Sequence, residues 1–292
     1  MTPTGEIMDK SPATRESEQA FDESEIEEIE RKTPISPPAV FEVIRRGGEK
    51  ELIRPGSALM ASGLVAGIAL GFSVLSEALL RAHLPDADWR PLIENLGYSV
   101  GFMLVILGQM QLFTENTITV VSPALADPSA AVFRAVLRVW GLVLAANLTG
   151  ATAFGFILWL SADFQPELFV ALEDLSRHAT GYDWWETLWR GVGAGWLIAA
   201  MVWITSTTER LSLPLIIIVT YVIALADFSH VIAGTTEAML LVFTGEIGLW
   251  AAAIGFVLPA LLGNILGGTV LFTLLTWAQI RADLRQDKHE TR

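Results

Sequence analysis

Apolar residues along this chain are concentrated in long runs that are separated by short polar segments. The runs predict six membrane-spanning helices, at about residues 57–80, 91–126, 131–161, 184–206, 213–246 and 249–280. Each run supplies the roughly 20 residues that the hydrocarbon core of a bilayer requires. In the first run, Gly63, Gly67 and Gly71 recur at every fourth position, which favours the close approach of a neighbouring helix. The pattern predicts an all-α membrane protein.

Two of these runs are interrupted by polar residues. In the second run the apolar stretch ending at Gly108 gives way to residues 109–117, and in the fifth run Asp227, Ser229 and His230 follow an apolar stretch. A charge at the bilayer centre costs about 2.5–3.5 kcal/mol or more, so such residues usually face a protein interior or a water-filled cavity. We therefore expect a functional site at the break in the fifth run. A buried histidine that only stabilises a helix bundle would show the same pattern.

The order of the runs indicates an internal repeat. The third and sixth runs each carry an Asn-x-x-Gly motif, Asn147 to Gly150 and Asn264 to Gly267, and the middle run of each half is the broken one. Three spans followed by three spans that start from the opposite side give two halves of inverted topology. Paired breaks in such halves predict a permeation site near the middle of the membrane. We expect both asparagines to hold helices together rather than to contact a solute.

The basic residues are distributed unevenly between the two sides that six spans would create. Only four of the 19 Lys and Arg residues fall on the side opposite the termini, namely Arg81, Arg90, Arg177 and Arg190. Cytoplasmic loops carry an excess of Lys and Arg, so both termini are predicted to be cytoplasmic.

The chain divides into a tail, a surface helix and a membrane domain. Residues 1–36 are polar and carry ten acidic residues, which predicts a disordered cytoplasmic tail that could bind a cytoplasmic partner. Residues 37–56 place Val40, Phe41 and Ile44 on one side, which suits an amphipathic helix on the membrane surface. Residues 57–281 form the six-helix domain, and residues 282–292 form a cytoplasmic C-terminal tail.

Composition supports the membrane assignment and excludes several functions. The mean hydropathy is +0.48 and 52% of the residues are hydrophobic, and there is no cysteine. The absence of cysteine excludes disulfides, thiolate catalysis and cysteine-ligated metals. The sequence contains no H-E-x-x-H motif, no Walker loop and no nucleophile–base set, so we expect no enzyme activity. We also expect no cofactor, no metal and no nucleic-acid partner.

Three motifs resemble those of the formate/nitrite transporter family. They are Leu112-Phe113-Thr114 in the second run, Phe228-x-His230 in the fifth, and Pro259-x3-Gly263-Asn264-x2-Gly267-Gly268 in the sixth. The resemblance covers about residues 38–285. The acidic N-terminal extension, the phrase QLFTENT and the ending WAQIRADL look most like the divergent YfdC-type inner-membrane branch of that family.

The resemblance implies an aquaporin-like protomer, a homopentamer in the bacterial inner membrane, and one pore in each protomer. The family's central pore histidine falls on His230, and its loop residues fall on Leu112, Phe113 and Thr114. Its pore constrictions fall on three further residues, Tyr98, Phe102 and Ile223.

The chain departs from the family pattern around the histidine. Ser229 stands where formate channels typically have Glu directly before the histidine, and Gly234 and Gly195 stand in place of asparagines. Acidic residues appear near the breaks instead, at Asp227, Glu115 and Glu237. Selectivity for formate or nitrite therefore does not follow from the resemblance.

Two residues of the first break have competing interpretations. Thr114 either takes part in the pore or only caps the short helix that follows. Glu115 is expected to pair with Arg134 or Arg138 rather than to line a pore.

The leading hypothesis is a channel or proton-coupled carrier for a small solute, a monovalent weak-acid anion of the formate/nitrite type. Apolar constrictions block a hydrated ion, whereas a weak acid passes if it becomes neutral inside. A histidine, with a pKa near 6.5, suits the donation of that proton. The candidate pore residues are His230, Thr114, Leu112, Phe113, Tyr98, Phe102, Ile223, Asp227 and Ser229.

Two alternatives stay open. A carboxylate beside an anion path raises its barrier unless it is protonated, paired or remote, so the acidic residues favour a pore for a neutral or cationic solute. The other alternative is a membrane scaffold with a vestigial pore, which would gather partners through the pentamer and the acidic tail.

Overall fold

The computed structural model describes residues 22, 24, 25, 35–207 and 212–290, with side chains up to residue 282. The predictions for the acidic tail fall almost entirely outside these residues. The chain divides into two compact units, Met1–Ser36 and Pro37–Arg292, and the second contains the elements described below.

Throughout the described residues the regular structure is helical, with no strand. The helices are α1 (Pro37–Ile53), α2 (Gly56–His83), α3 (Pro91–Leu107), α4 (Asn116–Thr119), α5 (Val121–Ala126), α6 (Ala130–Leu160), α7 (Pro166–Thr180), α8 (Trp184–Thr205), α9 (Ser212–Leu225), α10 (Val231–Thr244) and α11 (Ala251–Ala282). This all-helical architecture confirms the predicted fold class at the level of secondary structure.

Within the described part of the chain, four helices are long and apolar enough to cross a membrane, namely α2, α6, α8 and α11. The second and fifth apolar runs are each divided into shorter helices at the polar residues. The second run forms α3, α4 and α5, with a 3₁₀ turn at Asn95–Tyr98. The fifth run forms α9 and α10, which are separated by residues 226–230.

Helix α11 has irregular winding that the apolar run did not reveal. It contains π-helical turns at Ala251–Val257 and Leu266–Leu274. Regular α-helix follows the second turn, and the chain stays helical from Leu275 to Glu290. Pro259 lies two residues after the first of these turns and has no amide hydrogen, so it cannot complete the α-helical hydrogen bonds there.

Helix α1 is amphipathic, as its sequence suggests. Val40 and Ile44 are buried in a cluster with Ile118 and Ala199. On the polar face, hydrogen bonds from Arg45 and Arg46 lower the pKa of Glu42 to about 2.

Helix α7 lies in the polar segment between the third and fourth runs, for which the sequence pattern predicts no helix. Leu168, Ala171, Leu172 and Leu175 recur at helical spacing and are buried in a cluster with residues of α2, α6 and α10. Pro166 starts the helix at a position where its missing amide hydrogen costs nothing. The signal was present in the sequence as proline followed by a periodic apolar face.

The long helices pack in pairs through glycines. A Cβ at Gly67 on α2 would lie 2.2 Å from the carbonyl oxygen of Asn147 on α6. A Cβ at Gly195 on α8 would lie 2.2 Å from the carbonyl oxygen of Asn264 on α11. The glycine stripe of the first run therefore serves a contact inside the protomer, and the same contact recurs between the later pair of helices.

Candidate permeation site

The two breaks have the same backbone geometry. Gln109 and Asp227 have positive φ angles of 50° and 53°. The next amide in each break donates to a carbonyl five residues earlier, from Met110 to Val105 and from Phe228 to Ile223, both at 2.9 Å. A positive φ is uncommon for residues other than glycine. Its recurrence at equivalent positions indicates that both halves of the chain contain the same type of turn.

Asn147 on α6 stabilises the first break. Its Oδ1 accepts a hydrogen bond from the Phe113 amide at 2.8 Å. Its Nδ2 donates to the carbonyls of Gly63 and Gln111 at 2.7 and 2.9 Å. Backbone groups of a broken helix must find partners when they are buried, and this one amide serves three of them.

Asn264 on α11 has the same role at the second break. Its Oδ1 accepts from the Val231 amide at 2.9 Å, and its Nδ2 donates to the carbonyls of Gly191 and Ser229 at 2.9 and 2.8 Å. Both asparagine side chains are therefore engaged with the backbone of neighbouring segments, in the structural role that the sequence suggested.

His230 connects the two breaks. Its Nε2 lies 2.9 Å from Thr114 Oγ1, and its Nδ1 accepts a hydrogen bond from the Ala233 amide at 3.3 Å, which caps α10. A nitrogen that accepts from a backbone amide carries no proton, so the imidazole is neutral and Nε2–H donates to Thr114. The ring is only 2% exposed. No described residue accepts the Thr114 hydroxyl hydrogen, which is left for water or a solute.

One aromatic ring lies against His230, and a second packs on the first. The Phe102 ring meets it edge-on, with centroids 5.0 Å apart and an angle of 76° between the planes. Tyr98 packs on Phe102 at 5.3 Å. Phe102 and Ile223 are completely buried. Of the three residues expected at the constriction, Phe102 contacts the histidine, Tyr98 packs on Phe102, and Ile223 lines the same cavity as His230.

The loop at the first break contributes one side chain to the surroundings of His230. Leu112 and Phe113 are buried in the apolar core, and the Phe113 ring packs edge-on against Trp140 at 5.6 Å. Only Thr114 reaches His230. Its side chain makes no capping hydrogen bond to the following helix, whereas its carbonyl accepts from Thr117 Oγ1 at 2.7 Å. The capping interpretation of Thr114 is therefore wrong.

A cavity of about 530 Å³ leads to His230 from the side where α7 lies. We call it the vestibule. Its lining includes the following residues: Glu77, Glu94, Tyr98, Ile223, Ser229, His230 and Glu237. Glu77 and Glu94 were not predicted from the sequence, because the charges near each are ordinary for residues near a helix end.

Asp227 is turned away from His230. Its Oδ1 lies 2.8 Å from His178 Nε2 of α7, and its Oδ2 lies 4.0 Å from Arg190 Nη1 of α8. Arg190 also donates to the carbonyls of Ala226 and Asp227, both at 3.3 Å. The carboxylate therefore stabilises the turn at the mouth of the vestibule.

Two of the three altered positions around the histidine, Gly195 and Gly234, have steric explanations. Gly195 packs on Asn264, as described above. A Cβ at Gly234 would lie 2.2 Å from the Phe256 ring. Larger side chains at either position would require the neighbouring helix to move.

Glu115 does not form the predicted ion pair. It pairs with no described cation, and Arg134 and Arg138 instead donate to the carbonyls of Ala130 and Arg54.

In the described ranges no group of three or more His, Asp or Glu residues is arranged to hold a metal ion.

Comparison with known proteins identifies the family. Residues 38–278 match the family model described as formate/nitrite transporter. This chain belongs to the formate/nitrite transporter family. Membership places it among membrane-embedded channels and transporters rather than enzymes.

Relatives within the family match most of the chain. The Inner membrane protein YfdC of Escherichia coli (strain K12) is 37% identical over 274 residues, which cover 92% of this chain and 87% of that protein. The Formate-nitrite transporter of Plasmodium falciparum is 26% identical over 247 residues, covering 78% of this chain and 79% of that protein. The resemblance to the family and to its YfdC-type branch is thereby confirmed.

Solved channels share the fold. A structure described as a pentameric formate channel with formate bound has a TM-score of 0.67 and 20% sequence identity, and the match covers 76% of this chain and 96% of that chain. A structure described as an FNT family ion channel has the same TM-score at 18% identity, covering 83% of this chain and 96% of that one.

Proposed function

We propose that this chain crosses the bacterial inner membrane six times, as two inverted three-helix repeats, and forms one solute pore in each protomer of a homopentamer. Support comes from the two equivalent breaks, each stabilised by one asparagine from the third predicted span of its half. The pentamer is suggested by the solved formate channel described as pentameric. Both termini are cytoplasmic in this arrangement, since most basic residues then lie inside.

The pore carries a small monovalent weak acid whose charge is removed by a proton at His230. Formate and nitrite are the first solutes to test, because relatives are named for them. The rings of Tyr98 and Phe102 and the side chain of Ile223 disfavour a hydrated ion beside the histidine. The observation that carries this proposal is the His230–Thr114 contact at 2.9 Å between the two halves.

The hydrogen bonds of His230 define how the proton is handled. In the neutral ring, Nε2–H polarises the Thr114 hydroxyl, whose hydrogen then binds the solute more strongly. To release a proton, His230 must first take one up at Nδ1, which ends its acceptance from Ala233. Protonation of His230 at Nδ1 therefore removes the hydrogen bond that caps the start of α10.

A neutral or cationic solute is the second candidate. Five carboxylate side chains and two guanidinium groups line the vestibule, so its field attracts cations and repels anions.

Solute flux into liposomes tests the proposal. The purified protein is reconstituted and assayed with formate, nitrite, hydrosulfide, acetate, ammonium and neutral controls. The proposal predicts flux of at least one small monovalent solute above that of protein-free vesicles. A folded, reconstituted protein that carries none of them would favour the scaffold function.

A further inference from the structure

Two carboxylate side chains in the vestibule wall have no partner among the described residues. Glu77 of α2 is 8% exposed and Glu237 of α10 is 7% exposed, and both line the cavity. Neither makes a hydrogen bond or an ion pair with any part of the chain that the structure describes. Buried carboxylates are normally paired or hydrogen-bonded, so an unpartnered pair facing one cavity points to a ligand.

The neighbouring cations are engaged elsewhere. Arg81 Nη1 donates to Glu94 Oε1 at 2.8 Å, and Arg90 lies 3.2 Å from the other oxygen of Glu94. Arg177 forms an ion pair with Glu246. Glu94 is thus neutralised by two guanidinium groups, whereas Glu77 and Glu237 face the cavity without a contacting counter-charge.

The rest of the wall suits a small organic or hydrogen-bonding cation. Tyr98 is 7% exposed, lines the cavity and uses its hydroxyl in no hydrogen bond with a described residue. The Phe256 ring adds a further aromatic surface. Aromatic faces attract desolvated cations. The volume of about 530 Å³ lies in the range of small-molecule sites.

The ligand set excludes a tightly held metal ion and favours N–H donors. The described residues contain no cluster of three or more His, Asp or Glu residues with metal-site geometry. A primary ammonium group has three N–H donors and no acceptor, which matches two carboxylates and a phenol oxygen. Charge-assisted hydrogen bonds of this kind offset the loss of water around both partners.

We propose that Glu77 and Glu237 form a binding site in the vestibule for ammonium or a small primary alkylammonium ion. Bound there, the cation occupies the cavity that leads to the neutral imidazole of His230, so the site bears on the second candidate, a pore for a cationic solute. Its importance for transport rests on the proposed pore function, whereas binding itself does not.

Isothermal titration of the purified full-length protein with methylammonium chloride tests the site. Sodium chloride at equal ionic strength corrects for screening. Wild type should bind, and Glu77→Gln and Glu237→Gln should each weaken binding by about tenfold or more. Glu237→Asp keeps the charge and should retain more affinity than Glu237→Gln. Glu167→Gln is the matched control, because Glu167 is exposed at the start of α7, and it should bind like wild type.

Three results would overturn the site: no saturable binding to wild type, an affinity equal to that of wild type in both Gln variants, or binding of sodium formate that the Gln substitutions strengthen while methylammonium does not bind. If the Gln variants do not fold, the thermal unfolding temperature of wild type decides, since it must rise with methylammonium chloride and not with sodium chloride. Saturable binding without any solute flux would support the site and contradict the pore. Formate flux without cation binding would support the pore and contradict the site.

Discussion

Each nitrogen of His230 has a defined partner, and this determines what the residue can do. Nε2 contacts Thr114 from the first half of the chain, and Nδ1 caps α10 in the second half. The imidazole is therefore a structural connection as well as a proton carrier. A substitution that keeps hydrogen-bonding capacity but cannot titrate separates the two roles.

Asn147 should be required for stability rather than for solute recognition. Asn147→Ala leaves the Phe113 amide and the carbonyls of Gly63 and Gln111 without their partner. Each unpaired buried group costs about 1–3 kcal/mol, so thermal unfolding should occur at a distinctly lower temperature. The control Thr149→Ala alters an exposed residue on the same helix and should unfold like wild type. Equal stability of the two variants would contradict the account of the breaks.

The candidate residues could be predicted from the sequence, but their partners could not. An ionisable cluster inside an apolar run identifies His230 as unusual. The contact with Thr114 depends on how two segments 116 residues apart are packed. For the same reason Asp227 was grouped with His230, although its carboxylate faces His178 and Arg190. Glu77 was missed because nothing local distinguishes it from an ordinary charge at a helix end.

At the scale of elements, polar residues within the apolar runs correctly located the two breaks. The amphipathic helix α7, which lies in a polar segment, was not predicted. The breaks between α3 and α4 and between α9 and α10 fall at the polar residues identified in the sequence. Helix α7 was not predicted, because the charges of its segment masked the spacing of Leu168, Leu172 and Leu175. The π-helical turns of α11 depend on packing and leave no pattern in a uniformly apolar run.

The attachment of α7 should weaken in acid. The hydrogen bond from Arg177 lowers the pKa of Glu246, so this pair stabilises the contact at neutral pH and loses its contribution as the pH falls through the pKa of the folded state. After correction for the intrinsic exchange rate, which is itself much slower in acid, the α7 amides should be less protected from hydrogen exchange at about pH 3 than at about pH 7. Glu246→Gln should exchange faster already at neutral pH and respond less to acid, whereas Glu167→Gln should follow wild type. Identical exchange in Glu246→Gln and wild type would exclude this role.

At the scale of the whole molecule, the proposed topology can be measured without interfering thiols. The natural chain has no cysteine, so a single introduced cysteine is the only site of maleimide labelling. Gln165→Cys lies just before α7 and should react with an impermeant maleimide added outside intact cells. Ser11→Cys should react only after the cells are opened, because the N-terminus is predicted to be cytoplasmic. Labelling of both from outside would contradict six spans with internal termini.

Assembly should depend on the membrane domain alone. Residues Pro37–Arg292 form a compact unit of their own, so deletion of residues 1–36 should leave the oligomer unchanged. Native mass spectrometry of the full-length and truncated proteins should show pentamers in both cases. A monomer or dimer as the main species of the full-length protein would contradict the proposed pentamer. Loss of the oligomer only on truncation would give the acidic tail a structural role.

The pH profile of solute flux in His230→Asn tests the central claim most directly. Asparagine retains hydrogen-bonding capacity near Thr114 and the α10 cap but cannot titrate. The comparison uses liposomes containing wild type, His230→Asn, or His83→Asn, which makes the same change at an exposed histidine. Between about pH 5 and 8, wild-type flux and His83→Asn flux should vary with pH, and His230→Asn flux should be reduced or independent of pH. A folded His230→Asn protein whose flux equals that of wild type at every pH would contradict the proton role of His230.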